Sequence, residues 1–135
     1  MIFSKTKYIQ LNNNNFICLN NVRNIVSNSF KVQDPKDFAD RVLNNDKPVI
    51  VDFFAKWCKP CQLLGPRIES VIDEKKGEVL LAKVDIDENS DIALDYEVNA
   101  VPVLLGFKKG KAEERMIGLQ DEDKLKTFVN KFIEK

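Results

Sequence analysis

The sequence contains no histidine and only three cysteines among its 135 residues. A structural zinc site needs four cysteine or histidine ligands, so a site of that kind is excluded. The lack of histidine also excludes serine–histidine and cysteine–histidine nucleophile pairs. Small secreted proteins held together by disulfides have a dense, even set of cysteines, which this chain lacks. These absences leave few possible chemistries for the cysteines.

The chain also lacks net charge and long hydrophobic stretches. Its formal net charge is zero, so nothing indicates a nucleic acid or a membrane surface as a partner. No stretch approaches the ~18 consecutive apolar residues that a membrane span needs. Hydrophobic residues make up 44% and charged residues 31% of the chain, which is typical of globular proteins. The length fits one domain.

The first 29 residues differ from the rest in composition. They contain no Asp, Glu, Gly or Pro, but eight asparagines and three cations. We therefore place a boundary near Ser29, with a leader at 1–29 and the domain at 30–135. The leader lacks the continuous apolar stretch of a secretory signal, and its basic, acid-free composition partly fits an organelle transit peptide. A disordered, asparagine-rich tail with no address function is the alternative.

From residue 30 onward the chain alternates strand and helix patterns. Asp34 and Pro35 begin a helix as N-cap and first helical residue. The order βαβαβαββα predicts an α/β sandwich, a mixed sheet of about five strands with helices on both faces. The predicted strands are 30–32, 49–55, 79–84, 103–107 and 112–117, the last two forming an antiparallel hairpin. The first predicted helix begins at 34, and the other three span about 58–75, 89–96 and 121–133.

The segment Trp57-Cys58-Lys59-Pro60-Cys61 follows the central strand and begins a helix. A spacing of three places both cysteines on one helix face, with Cα atoms about 5–6 Å apart, as a disulfide tolerates. The N–H groups and the positive end of the helix dipole stabilise a thiolate at Cys58, and Cys61 would resolve the mixed disulfide that Cys58 forms. Half of a metal site, or two inert thiols, is the alternative. The lack of a second cysteine pair opposes it.

Asp52 lies in the middle of the predicted central strand, where both faces are expected to be covered. Burial raises the pKa of a carboxyl, which suits proton transfer near neutral pH. The alternatives are an exposed strand face or pairing with a lysine such as Lys83. Pro102 begins a strand, where no backbone N–H is needed, and its bond to Val101 can be cis.

These motifs, taken in order, resemble the thioredoxin family over residues 30–135. The resemblance is carried by Val51 to Cys61, by Pro66, by Ala82 to Asp87, by Val101-Pro102 and by Gly118 before the last helix. The segments 98–102 and 117–123 are similar to the mitochondrial branch of the family, which agrees with the basic leader.

The resemblance implies a thioredoxin fold, a three-layer α/β/α sandwich with four helices, and a protein disulfide reductase that supports cell redox homeostasis. It implies that Cys58 attacks, that Cys61 resolves to give the Cys58–Cys61 disulfide, and that Asp52, with Lys83 nearby, assists deprotonation of Cys61. It further implies a cis Pro102 and a substrate groove lined by Trp57, Val101, Pro102 and Gly118.

The resemblance also implies a setting for the protein. It would bind no cofactor or metal and would receive electrons from NADPH through thioredoxin reductase. Its clients would be oxidised proteins such as peroxiredoxins, and it would act as a monomer in the mitochondrial matrix. The alternative is a cytoplasmic protein with a disordered N-terminal tail.

Two residues depart from the family pattern. Lys59, which precedes Pro60 between the cysteines, stands where glycine is usual, and Val103 stands where threonine is usual. Lys59 leaves the redox potential open, whereas valine keeps the β-branched shape of threonine, so its effect should be small. A disulfide oxidase or isomerase, and a redox-dependent binding module, are the alternative functions. The complete set of Cys58, Cys61, Asp52 and Pro102 opposes simple binding.

Overall fold

The computed structural model describes residues 27–134. Most of the predicted leader, residues 1–26, lies outside the described residues, whereas its end joins the sheet: the first strand begins at Ser29, and the Asn28 carbonyl accepts the Leu81 N–H. The strands are β1 (Ser29–Lys31), β2 (Val49–Phe54), β3 (Leu80–Asp85), β4 (Val103–Lys108) and β5 (Lys111–Ile117). The helices are α1 (Pro35–Phe38, continued by a π-helical segment at Ala39–Leu43), α2 (Lys59–Asp73), α3 (Ser90–Asp95) and α4 (Glu122–Glu134). The predicted order of elements is confirmed.

The five strands form one mixed sheet in the order β1-β3-β2-β4-β5. β3 pairs in parallel with both β1 and β2, whereas β4 pairs antiparallel with β2 and with β5. The predicted hairpin is therefore present as β4 and β5. Because β2 has a partner on each side, the segment that follows it emerges from the middle of the sheet.

Helices cover both faces of the sheet. Successive side chains of a strand point to opposite faces, and β2 follows this rule. Val49, Val51 and Phe53 pack in the core with residues of α1 and α3. Ile50 packs in a second core with residues of α2 and α4. The three-layer sandwich is confirmed, and Asp52 takes its place on the face that α2 covers.

Two local features fix the helices against the sheet. At the start of α1, Asp34 is the N-cap, and its carboxylate accepts the Asp37 N–H at 2.7 Å, as an N-cap side chain should. On the other face, a Cβ added to Gly106 would lie 2.7 Å from the ring of Phe132. Glycine at this position therefore lets α4 pack directly on β4.

No helix within residues 27–134 is long and apolar enough to cross a membrane.

Candidate active site

The two cysteines of the predicted motif lie at the start of α2. Cys58 has extended backbone angles and is the N-cap residue of the helix, and Cys61 lies in the first turn. They form a disulfide, with their Cα atoms 5.3 Å apart. This separation lies within the 5–6 Å expected from a helical spacing of three.

The sulfur of Cys58 caps the helix. It accepts a hydrogen bond from the Cys61 backbone N–H at 3.2 Å. A donor aimed at the sulfur, together with the positive end of the helix dipole, favours a negative charge there. Only 5% of Cys58 and 6% of Cys61 are exposed, because both pack against Ala55 and Val101. The disulfide is thus nearly covered, and the N-terminus of α2 is directed at the Cys58 sulfur, which we call the outer sulfur.

Of the residues expected to line a substrate groove, Trp57 directly precedes Cys58 and Val101 packs against the cysteines. Trp57 is 68% exposed, so its indole is not part of the core, and its Nε1–H donates to Asp87 Oδ2 at 2.9 Å. The Val101 carbonyl oxygen lies 3.8 Å from Cys58 Sγ. The Val101–Pro102 bond is cis, as the resemblance implies.

Gly118 joins the same region through the backbone. Its N–H donates to the Pro102 carbonyl at 2.9 Å, and its φ of +89° is one that other residues rarely adopt. Lys59 and Pro60 are exposed in the first turn of α2. Within the described part of the chain, Lys59 forms no ion pair, and no group of three or more acidic, cysteine or histidine side chains could hold a metal ion.

Asp52 is buried beneath the dithiol, with 3% of the residue exposed. The expectation of a covered carboxyl is confirmed, and the alternative of an exposed strand face is wrong. Burial raises the pKa of Asp52 to about 7, the Lys83 ammonium opposes this rise, and the Glu69 carboxylate adds to it. Asp52 Oδ1 has no hydrogen-bond partner. The carboxyl can therefore gain or lose a proton near neutral pH.

Lys83 lies beside Asp52, as the resemblance implies, because the two residues are register partners on β3 and β2. Its ammonium, however, forms an ion pair with Glu69 of α2. Asp52, Lys83, Glu69 and Cys61 line one cleft of about 350 Å³. The Asp52 carboxyl and Cys61 thus line the same cleft, which is large enough to hold water.

Sequence reasoning missed two residues at this site, Glu69 and Asp87. A signal for Glu69 exists, because Cys61, Gly65 and Glu69 are four residues apart along a helix and therefore share a face. Asp87 ends one of the segments that carry the family resemblance, but nothing in the sequence indicates its contact with Trp57, 30 positions away.

Comparison with known proteins agrees with this geometry. The family model described as Thioredoxin matches residues 29–131. The mitochondrial thioredoxin of Bos taurus is 50% identical over 109 residues, covering 81% of this chain and 66% of the bovine protein. The thioredoxin of Rickettsia felis is 42% identical over 96 residues, covering 71% of this chain and 91% of that protein.

A solved structure supports the same assignment. A mutant thioredoxin from Halobacterium salinarum matches with a TM-score of 0.72 and 37% identity, covering 79% of this chain and 92% of the other. The chain spans slightly less than two thirds of the length of the bovine mitochondrial thioredoxin, namely 66%. Because the family model covers most of the described residues and the dithiol lies at the start of α2, the chain belongs to the thioredoxin family.

Proposed function

We propose that this chain is a protein disulfide reductase that works by thiol–disulfide exchange through Cys58 and Cys61. The observation that carries the proposal is the Cys58–Cys61 disulfide at the start of α2, whose outer sulfur accepts the Cys61 N–H. The family membership of the chain supports the same activity. The buried carboxyl of Asp52 in the adjoining cleft supplies the proton acceptor that the reaction requires.

The first step is attack by the reduced protein on a client disulfide. The Cys58 thiolate forms a bond to one client sulfur, the client S–S bond breaks, and the other client sulfur leaves as a thiolate that takes a proton from solvent. The helix N-terminus and the Cys61 N–H stabilise the attacking thiolate. The product is a mixed disulfide between Cys58 and the client.

The second step releases the client. The Asp52 carboxylate accepts the proton of the Cys61 thiol, directly or through water in the cleft, and the Cys61 sulfur attacks the Cys58 sulfur. The Cys58–Cys61 disulfide forms, the Cys58–client bond breaks, and the client leaves as a second thiolate. The client has gained two electrons, and the two cysteines have lost them.

The surface around Cys58 would hold the client. The exposed indole of Trp57 offers an apolar contact, and the Val101 carbonyl lies 3.8 Å from the reacting sulfur. Gly118 is half-buried and would extend this surface, whereas Pro102 is buried and accepts the Gly118 N–H through its carbonyl. An extended client segment placed here would bring its disulfide against Cys58.

The protein would need no bound cofactor, since the dithiol itself carries the electrons. An NADPH-dependent thioredoxin reductase would return the disulfide to the dithiol, and oxidised proteins such as peroxiredoxins would be the clients. We propose that the protein acts as a monomer.

Insulin reduction, coupled to NADPH and thioredoxin reductase, tests the proposal. The wild-type protein should reduce insulin, which then precipitates, and NADPH should be consumed. A Cys58→Ser variant should cause neither change. No turnover by the wild-type protein would contradict the proposal. A reductase should have a reduction potential of about −270 mV. A reduction potential of about −180 mV, as in protein disulfide isomerase, would favour the isomerase alternative.

Lys59 is expected to make the protein a slightly weaker reductant. Its exposed ammonium favours the neighbouring Cys58 thiolate, which exists only in the reduced form. The interaction of this charge with the thiolate is worth about 0.5–1.5 kcal/mol, so Lys59→Gly should lower the potential by about 10–30 mV. Equilibration with glutathione at two salt concentrations measures this shift, which salt should diminish. A rise, no change, or a difference near ~100 mV would show that another effect governs the potential.

We propose that residues 1–29 direct the protein to the mitochondrial matrix. The segment is basic and free of acids, and the relatives from Bos taurus, Rattus norvegicus and Mus musculus are mitochondrial thioredoxins. A fluorescent protein fused to residues 1–29 should enter mitochondria, whereas one fused to residues 30–135 should not. A leader fusion that stays in the cytosol would contradict the proposal.

A further inference from the structure

Glu69 occupies a position in the cleft that the proposed chemistry does not yet use. It lies on α2, two helical turns after Cys61, and its carboxylate accepts a hydrogen bond from the Lys83 ammonium. Lys83 is also the register partner of Asp52. The Lys83 ammonium is therefore near two carboxyl groups, and it forms its ion pair with Glu69.

The two carboxyl groups differ in their surroundings. The Glu69 side chain is 39% exposed and the Lys83 side chain 30% exposed, so their ion pair lies at the solvent side of the cleft. Asp52 is buried, and its Oδ1 has no hydrogen-bond partner. A buried carboxylate without a partner is costly, so an ammonium that turned toward Asp52 would bind it strongly.

We propose that Glu69 is a positioning residue for the dithiol reaction: it holds the Lys83 ammonium at the mouth of the cleft and leaves Asp52 free to exchange a proton with Cys61. This inference rests on the proposed function, because it assigns a role within the second step of that reaction. It adds no new bond or electron transfer to that step.

The charged groups around Asp52 set the direction of the expected effect. Lys83 lies beside it on β3, and Glu69 and Cys61 line the same cleft from α2. Lys56 lines the cleft from the loop before α2, but its ammonium pairs with Glu88 at 3.5 Å. The neighbour of Asp52 on β4, Leu104, is apolar. Glu69 raises the pKa of Asp52 and Lys83 lowers it. Neutralising Glu69 removes the charge that raises the pKa of Asp52. It also releases the Lys83 ammonium, which can then approach Asp52 and lower its pKa further. Asp52 then becomes a weaker base.

Carbon-13 NMR titration of the aspartate carboxyl groups tests this directly in the oxidised protein, where no active-site thiol titrates. The Asp52 signal is identified by its loss in Asp52→Asn. Glu69→Gln should lower the Asp52 midpoint by about one pH unit, and Lys83→Met should raise it. Glu74→Gln is the matched control, because Glu74 follows the same helix and pairs with Lys126 at 3.8 Å outside the cleft. It should leave the midpoint unchanged.

The pH profile of mixed-disulfide release supplies the functional readout. The acid limb should move to lower pH in Glu69→Gln, to higher pH in Lys83→Met, and not at all in Glu74→Gln. An Asp52 midpoint that is unchanged or raised in Glu69→Gln would overturn the inference. The two proposals fail separately, because the titration can be measured whether or not the wild-type protein reduces insulin.

Discussion

A Cys61→Ser variant is expected to accumulate mixed disulfides with its clients, whereas Cys58→Ser captures none. The Cys58 sulfur accepts a hydrogen bond from the Cys61 N–H and caps α2. It is therefore the sulfur whose thiolate the helix stabilises. With serine at position 61, Cys58 can still attack, but no thiol remains to displace the client. Turnover of insulin should be lost, because the second step cannot occur.

The measurement is electrophoresis under non-reducing conditions after incubation with an oxidised client. The trapped adducts should disappear on addition of reductant. Cys18 lies outside the described residues and must not contribute, so a Cys18→Ser background is the control. Capture by Cys58→Ser but not by Cys61→Ser would reverse the assigned roles of the two cysteines.

Asp52→Asn is expected to make the oxidised protein more stable, by up to about 4 kcal/mol at pH 8, and to change its stability little at pH 4. Burial raises the pKa of Asp52 from 3.8 to about 7. As the pH rises between these values, the unfolded chain releases the proton while the folded chain keeps it, so the free energy of unfolding falls. At about 1.4 kcal/mol per pH unit, the loss is complete above pH 7 and absent below pH 4.

Urea unfolding at several pH values measures this difference. Asparagine has the shape of the protonated carboxyl and no charge, so the variant should lack the loss between pH 4 and pH 7. Asp46→Asn makes the same chemical change at an exposed position and should have little effect at any pH. Equal stability of Asp52→Asn and wild type at pH 8 would show that the burial of Asp52 carries no such cost. The disulfide reduction rate of Asp52→Asn should meanwhile fall, since its proton acceptor is gone.

The sheet could be predicted from the sequence because its central strand is nearly all apolar. A run such as Val49 to Phe54 fits only a strand covered on both faces, and the hairpin is marked by a lysine- and glycine-containing turn. The first helix was predicted as one element, but it changes to π-helical geometry at Ala39. Local sequence gives no sign of this change, since apolar residues there keep ordinary helical spacing.

The dithiol could be predicted for a different reason, namely that its geometry depends on neighbours in sequence. A spacing of three in a helix fixes the separation of Cys58 and Cys61, and their place at the N-terminus follows from the strand that directly precedes them. The Lys83–Glu69 ion pair joins a strand to a helix 14 positions away, and Lys83 could equally have paired with Asp52. Only the packed structure decides between the two carboxylates.

The helical placement of the dithiol has a consequence for the speed of the redox cycle. The Cα atoms of Cys58 and Cys61 are 5.3 Å apart because Cys58 is the N-cap and Cys61 lies in the first turn of the same helix. Leu64, Ile68 and Val71 anchor the next turns in the core. Because a disulfide tolerates this Cα separation, we expect the S–S bond to open and close by side-chain rotation with little displacement of the main chain. The rate of the cycle should then depend on the arrival of clients and on proton transfer.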